Sequence, residues 1–85
     1  MAISTHQPRW YRIRDEASLG DAIAAVRKAS GRSQEQLAAR IGAERASIRR
    51  IEQGRLAVLG RIMKALGVCG YELIAVPRGT KVTVE

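Results

Sequence analysis

The stretch SQEQLAARIGAERASIRRIEQG, from Ser33 to Gly54, constrains the fold more than any other part of the chain, because two short helical periods are joined in it at a single glycine. Ser33 and Gln36 match a capping box, in which the hydroxyl and the amide side chain each satisfy a backbone N–H that a helix start leaves without a partner. A helix is therefore expected over 34–41, with Leu37, Ala38 and Ile41 on one face. Gly42 can take the left-handed conformation that ends it. Ile48 and Ile51 then form the buried stripe of a second helix over 45–52, which leaves Arg45, Ala46, Arg49 and Arg50 facing outward. The expected product is a pair of helices held at a fixed turn, the second with a basic, exposed face.

The flanking sequence supplies the rest of a small, mostly α domain. RWYRIR alternates, with Trp10, Arg12 and Arg14 on one side and Tyr11 and Ile13 on the other, as a half-buried strand over 10–14 would. Stacking of Trp10 and its arginines on nucleic acid is the competing reading, and it is disfavoured because Asp15 and Glu16 follow directly and would repel phosphates. Ser18 and Asp21 read as a second capping box, opening a helix over 19–29 whose core face is Ala22, Ile23, Val26 and Ala29 and which stops at Ser30 and Gly31. Arg27 and Lys28 in its last turn are accounted for by the helix dipole. Leu56, Leu59, Ile62, Met63 and Leu66 predict a helix over 57–66, ended by Gly67, with Met63 as packing and Gly60 as a point of close approach. YELIAV predicts a strand over 71–76, and Pro77, Arg78 and Gly79 are turn residues. Residues 80–85 alternate again, which suits either an intrachain hairpin or pairing with another chain. Residues 1–8 read as a loose tail before a single domain over 9–85.

Composition narrows the function classes. With 85 residues the chain buries a smaller fraction of its surface than a larger protein does, so dimerisation is an expected remedy. A formal charge of +7 suits an anionic partner, although a merely solubilising surface would also carry it. The one cysteine, Cys69, reads as a small buried hydrophobe. A lone cysteine and an N-terminus without a secretory apolar core lead us to expect a cytoplasmic protein, in bacterial cytoplasm or nucleoid. No run approaches the roughly twenty apolar residues of a membrane span. No enzyme and no cofactor or metal is expected, because His6 is the only histidine and no nucleophile or carboxylate pair stands with a base at triad-like or ligand spacing. Three aromatic residues, Trp10, Tyr11 and Tyr71, are too few for the stacking platforms that read single-stranded RNA.

Double-stranded DNA is the anion that the central pair of helices fits. In a helix-turn-helix the second helix enters the major groove with its N-terminal residues at the base edges, while the first crosses the backbone. Arg45, Ala46, Arg49 and Arg50 are the expected base contacts, since the guanidinium fork meets guanine O6 and N7 together and an alanine methyl suits thymine. Gln34 and Ser33 at the start of the first helix, with Arg32 and Arg55 at the ends of the motif, are the expected phosphate contacts. The competing account of the arginines is a solvated helix face in which Glu52 pairs with some of them.

From Leu19 to Gly67 the chain resembles the XRE (Cro/cI-type) helix-turn-helix family, with Gln34, Leu37, Ala38, Gly42, Ser47, Ile48, Ile51, Glu52 and Gly54 at that family's signature positions. The flanking YRIRDEASLG and ALGVCGYELIAVPR are similar to those of HipB-like antitoxins. The resemblance implies a lambda-repressor-like bundle of four to five short helices, with terminal strands in a sheet between subunits. Trp10, Ile13, Tyr71, Leu73, Ile74 and Val76 would then lie at the dimer interface. It further implies a homodimeric repressor of its own operon, with a double-stranded operator and a HipA-like kinase toxin as partners; a stand-alone regulator or an interaction module is the alternative. Two departures stand out. Ala43 and Glu44 occupy the place where Ser, Thr or Asp usually caps the recognition helix, so either that end frays or Glu44 serves it by charge. The connection from Gly54 to Leu56 is about one turn shorter than in the family, which bears on Arg55.

Overall fold

A computed structural model describes residues 10–82, so the expectations for the 1–8 tail, for His6 and for residues 83–85 lie outside the described residues. The order is β1 (Tyr11–Ile13), α1 (Glu16–Ala29), α2 (Gln34–Ile41), α3 (Arg45–Glu52), α4 (Ala57–Val68) and β2 (Leu73–Ala75). This is the mostly helical bundle with a small sheet that the sequence led us to expect.

Local chemistry sets most of the boundaries. The central pair begins and ends where its caps require, with Ser33 and Gln36 exchanging the two capping-box bonds and Gly42 at φ +71° closing α2. The first helix differs from expectation. It starts at Glu16, not Leu19, because Asp15 is the N-cap and Ser18 closes the box from inside the first turn. Ser18 N–H donates to Asp15 Oδ1 at 2.8 Å, and Ser18 Oγ accepts from the N–H groups of Arg14 and Asp15 at 2.9 and 3.1 Å. Ser18 thus stands at the far side of a box rather than at its opening, and Asp21 is an ordinary exposed residue. The fourth helix also runs past Gly67 to Val68, and the left-handed residue after it is Gly70 at φ +83°. Leu56, its N-cap, offers no side-chain bond; Glu16 supplies one from α1, its Oε2 accepting from Leu56 N–H at 3.1 Å. Gly60 makes this possible, since its bare Cα faces the Glu16 side chain in space that a Cβ would fill.

Packing is tightest where α1 crosses the end of α3. Gly20 is buried, and a Cβ there would lie 2.6 Å from the Glu52 carbonyl oxygen and 2.7 Å from that of Ile51. Only glycine allows the two backbones this approach. The core is small: Ile13, Ala22 and Met63 form one cluster with Tyr11, Leu19, Leu59 and Ala75 around it, and Ala38 and Ile48 are buried between the other helices. Met63 packs as expected. Val26, Ile41 and Ile62, expected on core faces, are instead 48%, 59% and 49% exposed, because the helices are too few to cover both flanks of each stripe. Cys69 is exposed rather than buried, since it caps α4 beyond the last core turn.

The two strands pair with each other, antiparallel, with Tyr11 opposite Ala75, Arg12 opposite Ile74 and Ile13 opposite Leu73. The two strands thus pair within one chain, and the expected sheet between subunits would be built onto this pair. Both strands are shorter than the expected 10–14 and 71–76. Glu72 clamps the pairing from the start of β2, accepting from Arg12 Nε at 2.7 Å and Arg14 Nε at 2.8 Å, and these two guanidinium groups hold its carboxyl below the usual range. Ile13, an expected interface residue, is 6% exposed in the single chain and belongs to the core. After β2 the chain turns at Pro77–Thr80, and residues 80–82 form no strand. Among the described residues no helix is long and apolar enough to cross a membrane.

Candidate nucleic-acid interface

Three residues, Gly42, Ala43 and Glu44, separate α2 from α3. The Ala43 N–H returns to the Ala38 carbonyl at 2.9 Å, and the left-handed Gly42 lets the chain turn at once into the next helix. Ile48, 1% exposed, anchors the inner face of α3. On its outer face Arg45, Ala46, Arg49 and Arg50 are all exposed, while Ser47 is half-buried on the inner side. The helical period that buries Ile48 and half-buries Ile51 is thus what turns the arginines out.

Glu52 decides what those arginines are free to do. It does not pair with its neighbours on α3. Its carboxylate reaches back to α1, where Arg27 Nε donates to Oε2 at 2.6 Å and Arg27 Nη2 to Oε1 at 3.1 Å. Gln34 Nε2 donates to the same Oε1 at 3.0 Å. Arg27 lowers the Glu52 carboxyl below its ordinary range, Gln34 adds to the effect, and Glu52 in turn raises Arg27. Both side chains of the pair are about nine-tenths buried, with 11% and 9% exposure. Among the described residues Arg45, Arg49 and Arg50 have no carboxylate in salt-bridge contact. The pairing of Glu52 with these arginines, considered from the sequence, is therefore not the arrangement found.

The expected backbone contacts gather around the start of α2. A shallow cleft of about 410 Å³ there is lined by Arg27, Ser33, Gln34, Glu35 and Arg45. Ser33 Oγ accepts the Gln36 N–H at 3.0 Å, and its own proton makes no bond among the described residues. Gln34 is held from two sides, by Glu52 and by Arg45, whose Nε donates to Gln34 Oε1 at 3.5 Å. Arg32 and Arg55 are exposed at the two ends of the motif, on loops that also tie back to the bundle: Arg27 Nη1 donates to the Arg32 carbonyl at 2.9 Å, and Arg55 N–H to the Arg50 carbonyl at 2.9 Å. Glu44, the N-cap of α3, makes no side-chain capping bond, as its residue type suggested.

A family profile described as a helix-turn-helix domain matches residues 18–75, well over half of the chain. The chain belongs to that helix-turn-helix domain family. Comparison with curated proteins and with solved structures gives no match. The matched span begins inside α1 and ends with β2, so the helix-turn-helix domain takes in one of the two strands. It is the fold of a DNA-binding regulator, with α2 and α3 as its motif. Sequence reasoning missed three parts of this domain: the Arg27–Glu52 pair, the Gly20 contact and the Glu16 cap. The glycine carried one readable signal, being flanked by the apolar residues of a helix face where glycine costs about 1 kcal/mol relative to alanine.

Proposed function

We propose that this helix-turn-helix protein is a sequence-specific transcriptional repressor that binds an operator as a homodimer. Arg45, Ala46, Arg49 and Arg50 read base edges in the major groove, and Gln34, Ser33, Arg32 and Arg55 hold phosphates. The observation that carries the reading is the diversion of Glu52 to Arg27, which leaves three arginines exposed along one short helix and without carboxylate partners among the described residues. A dimer would place two recognition helices one or more helical turns apart on a palindrome. Support for the dimer comes from apolar surface left open around the two-stranded sheet, whose inner side packs on α1 and α4. Trp10 and the exposed Tyr71 flank that sheet, the exposed Leu73 opens β2, and Ile74 and Val76 lie half-buried in and beside it.

Titration of labelled duplex from upstream of the coding sequence, repeated over a range of salt concentrations, tests the proposal. Wild type is expected to bind with an affinity that falls steeply as salt rises, since each neutralised phosphate releases counterions. Arg45→Ala and Arg49→Ala are each expected to lose about tenfold or more in specific affinity, the low end of the 1–3 kcal/mol assigned to a bidentate guanine contact. Binding insensitive to both substitutions overturns the assignment.

The similarity of the flanks to HipB-like antitoxins extends the proposal to a toxin–antitoxin operon, with a HipA-like kinase as second partner. Co-expression with a kinase encoded next to this chain, followed by size measurement, tests that extension. A stable complex supports it, and an adjacent kinase that never associates refutes it.

A further inference from the structure

We propose that Glu44 is a specificity-determining residue that reads a cytosine amino group at the leading end of the recognition helix; the inference rests on the DNA-binding reading above. Glu44 is exposed and in extended backbone at the N-cap of α3, where its carbonyl accepts the Ser47 N–H at 2.9 Å. Glutamate is not among the residues that cap a helix start well, and here it makes no side-chain capping bond, nor does any salt bridge among the described residues take it up. Its neighbour Arg45, the obvious cation, turns instead towards Gln34 Oε1. Glu44 is thus a free acceptor one residue ahead of Arg45, at the end of the helix that meets the bases first.

A carboxylate has no phosphate to bind in this position, and the phosphates repel it. It gains only from donors, and the major groove offers two, cytosine N4 and adenine N6. Adenine sets the N7 acceptor beside N6, which repels the second carboxylate oxygen, so cytosine is the better fit. Guanine and thymine present acceptors alone and are rejected by charge. Glu44 therefore specifies cytosine at one position of each half-site, mainly by excluding the other bases, while Arg45 and Arg49 supply the attraction.

Selection from a randomised duplex pool, followed by competition with single-base variants, tests this with wild type, Glu44→Ala, Glu44→Gln and Arg49→Ala. Because Glu44 makes no capping bond, its variants are expected to melt within a few degrees of wild type. Wild type is expected to prefer cytosine at one position by about tenfold, the low end of the range for a base contact. That preference is lost in Glu44→Ala and moves to adenine in Glu44→Gln, since an amide bonds N6 and N7 together. If Glu44→Ala binds more tightly to every sequence with all preferences intact, Glu44 acts only through net charge and the proposal falls. A lost preference in Arg49→Ala would then show that base reading itself stands. No preference in wild type at all overturns both readings.

Discussion

Replacing Glu52 by glutamine changes one charge and almost no volume, at the point where α1, α2 and α3 meet. The carboxylate accepts two bonds from Arg27 and one from Gln34. Glutamine keeps one acceptor oxygen and presents its NH₂ to a group that can only donate. The Arg27 guanidinium then keeps one neutral acceptor here, besides the Arg32 carbonyl it already reaches at 2.9 Å. A charge-assisted hydrogen bond contributes about 1.5–3 kcal/mol, and breaking a fully buried pair costs about 3–5 kcal/mol. Because a tenth of each side chain still meets water, the loss for Glu52→Gln is expected near the lower range, at about 2 kcal/mol. In a domain of this size that lowers the melting temperature by about 8–16 °C.

The pH dependence gives the sharper reading. Glu52 has a lowered carboxyl in the folded protein, so its contribution is fully present above the ordinary glutamate value of about 4.3 and fades as pH falls through the folded value. Asp15 and Glu72 are lowered too, by the Ser18 backbone N–H and by Arg12 respectively, so wild type alone loses stability in acid for three reasons. The difference between wild type and Glu52→Gln cancels the other two. Urea unfolding followed by circular dichroism at pH 7, 5 and 3 is expected to give a gap that is widest at pH 7 and narrows towards pH 3. A gap under about 0.5 kcal/mol at pH 7, the size of an ordinary surface substitution, refutes the hub assigned to Glu52. So does one that stays constant down to pH 3.

Two glycines on helices are expected to respond in opposite directions to alanine. At Gly20 the added Cβ meets two backbone oxygens that cannot turn aside, so thermal melting should drop by an amount reflecting about 1–3 kcal/mol of overpacking, less about 1 kcal/mol of helix propensity. Gly67 has open space around its Cβ position, and Gly67→Ala should raise stability by about 0.5–1 kcal/mol. Glu16→Ala removes the acceptor from Leu56 N–H and is expected to cost about 1 kcal/mol in urea unfolding, with faster hydrogen exchange confined to the first turn of α4.

The motif was legible because everything that shapes it is close in sequence. Ser33 and Gln36, Gly42, and the period that buries Ile48 act within a turn or two of one another, so residue type alone placed both helices and the outward arginines. The first helix was misread by three residues for an equally local reason: Asp15–Ser18 and Ser18–Asp21 both look like capping boxes, and the hydrogen bonds that choose between them do not appear in the letters. The exposed faces of Val26 and Ile62 were misread because periodicity reports which residues share a side, not whether a neighbour arrives to cover it.

From sequence alone, then, came two helices, a fixed turn and a basic face. Folding in three dimensions decided which charges remain available. Arg27 lies 25 residues from Glu52, Glu16 lies 40 from Leu56, and Arg12 lies 60 from Glu72. Contacts across such distances depend on how whole elements dock, and on a glycine at residue 20 that lets α1 and α3 touch. By drawing Glu52 to Arg27, that docking leaves the arginines of α3 without a salt bridge among the described residues.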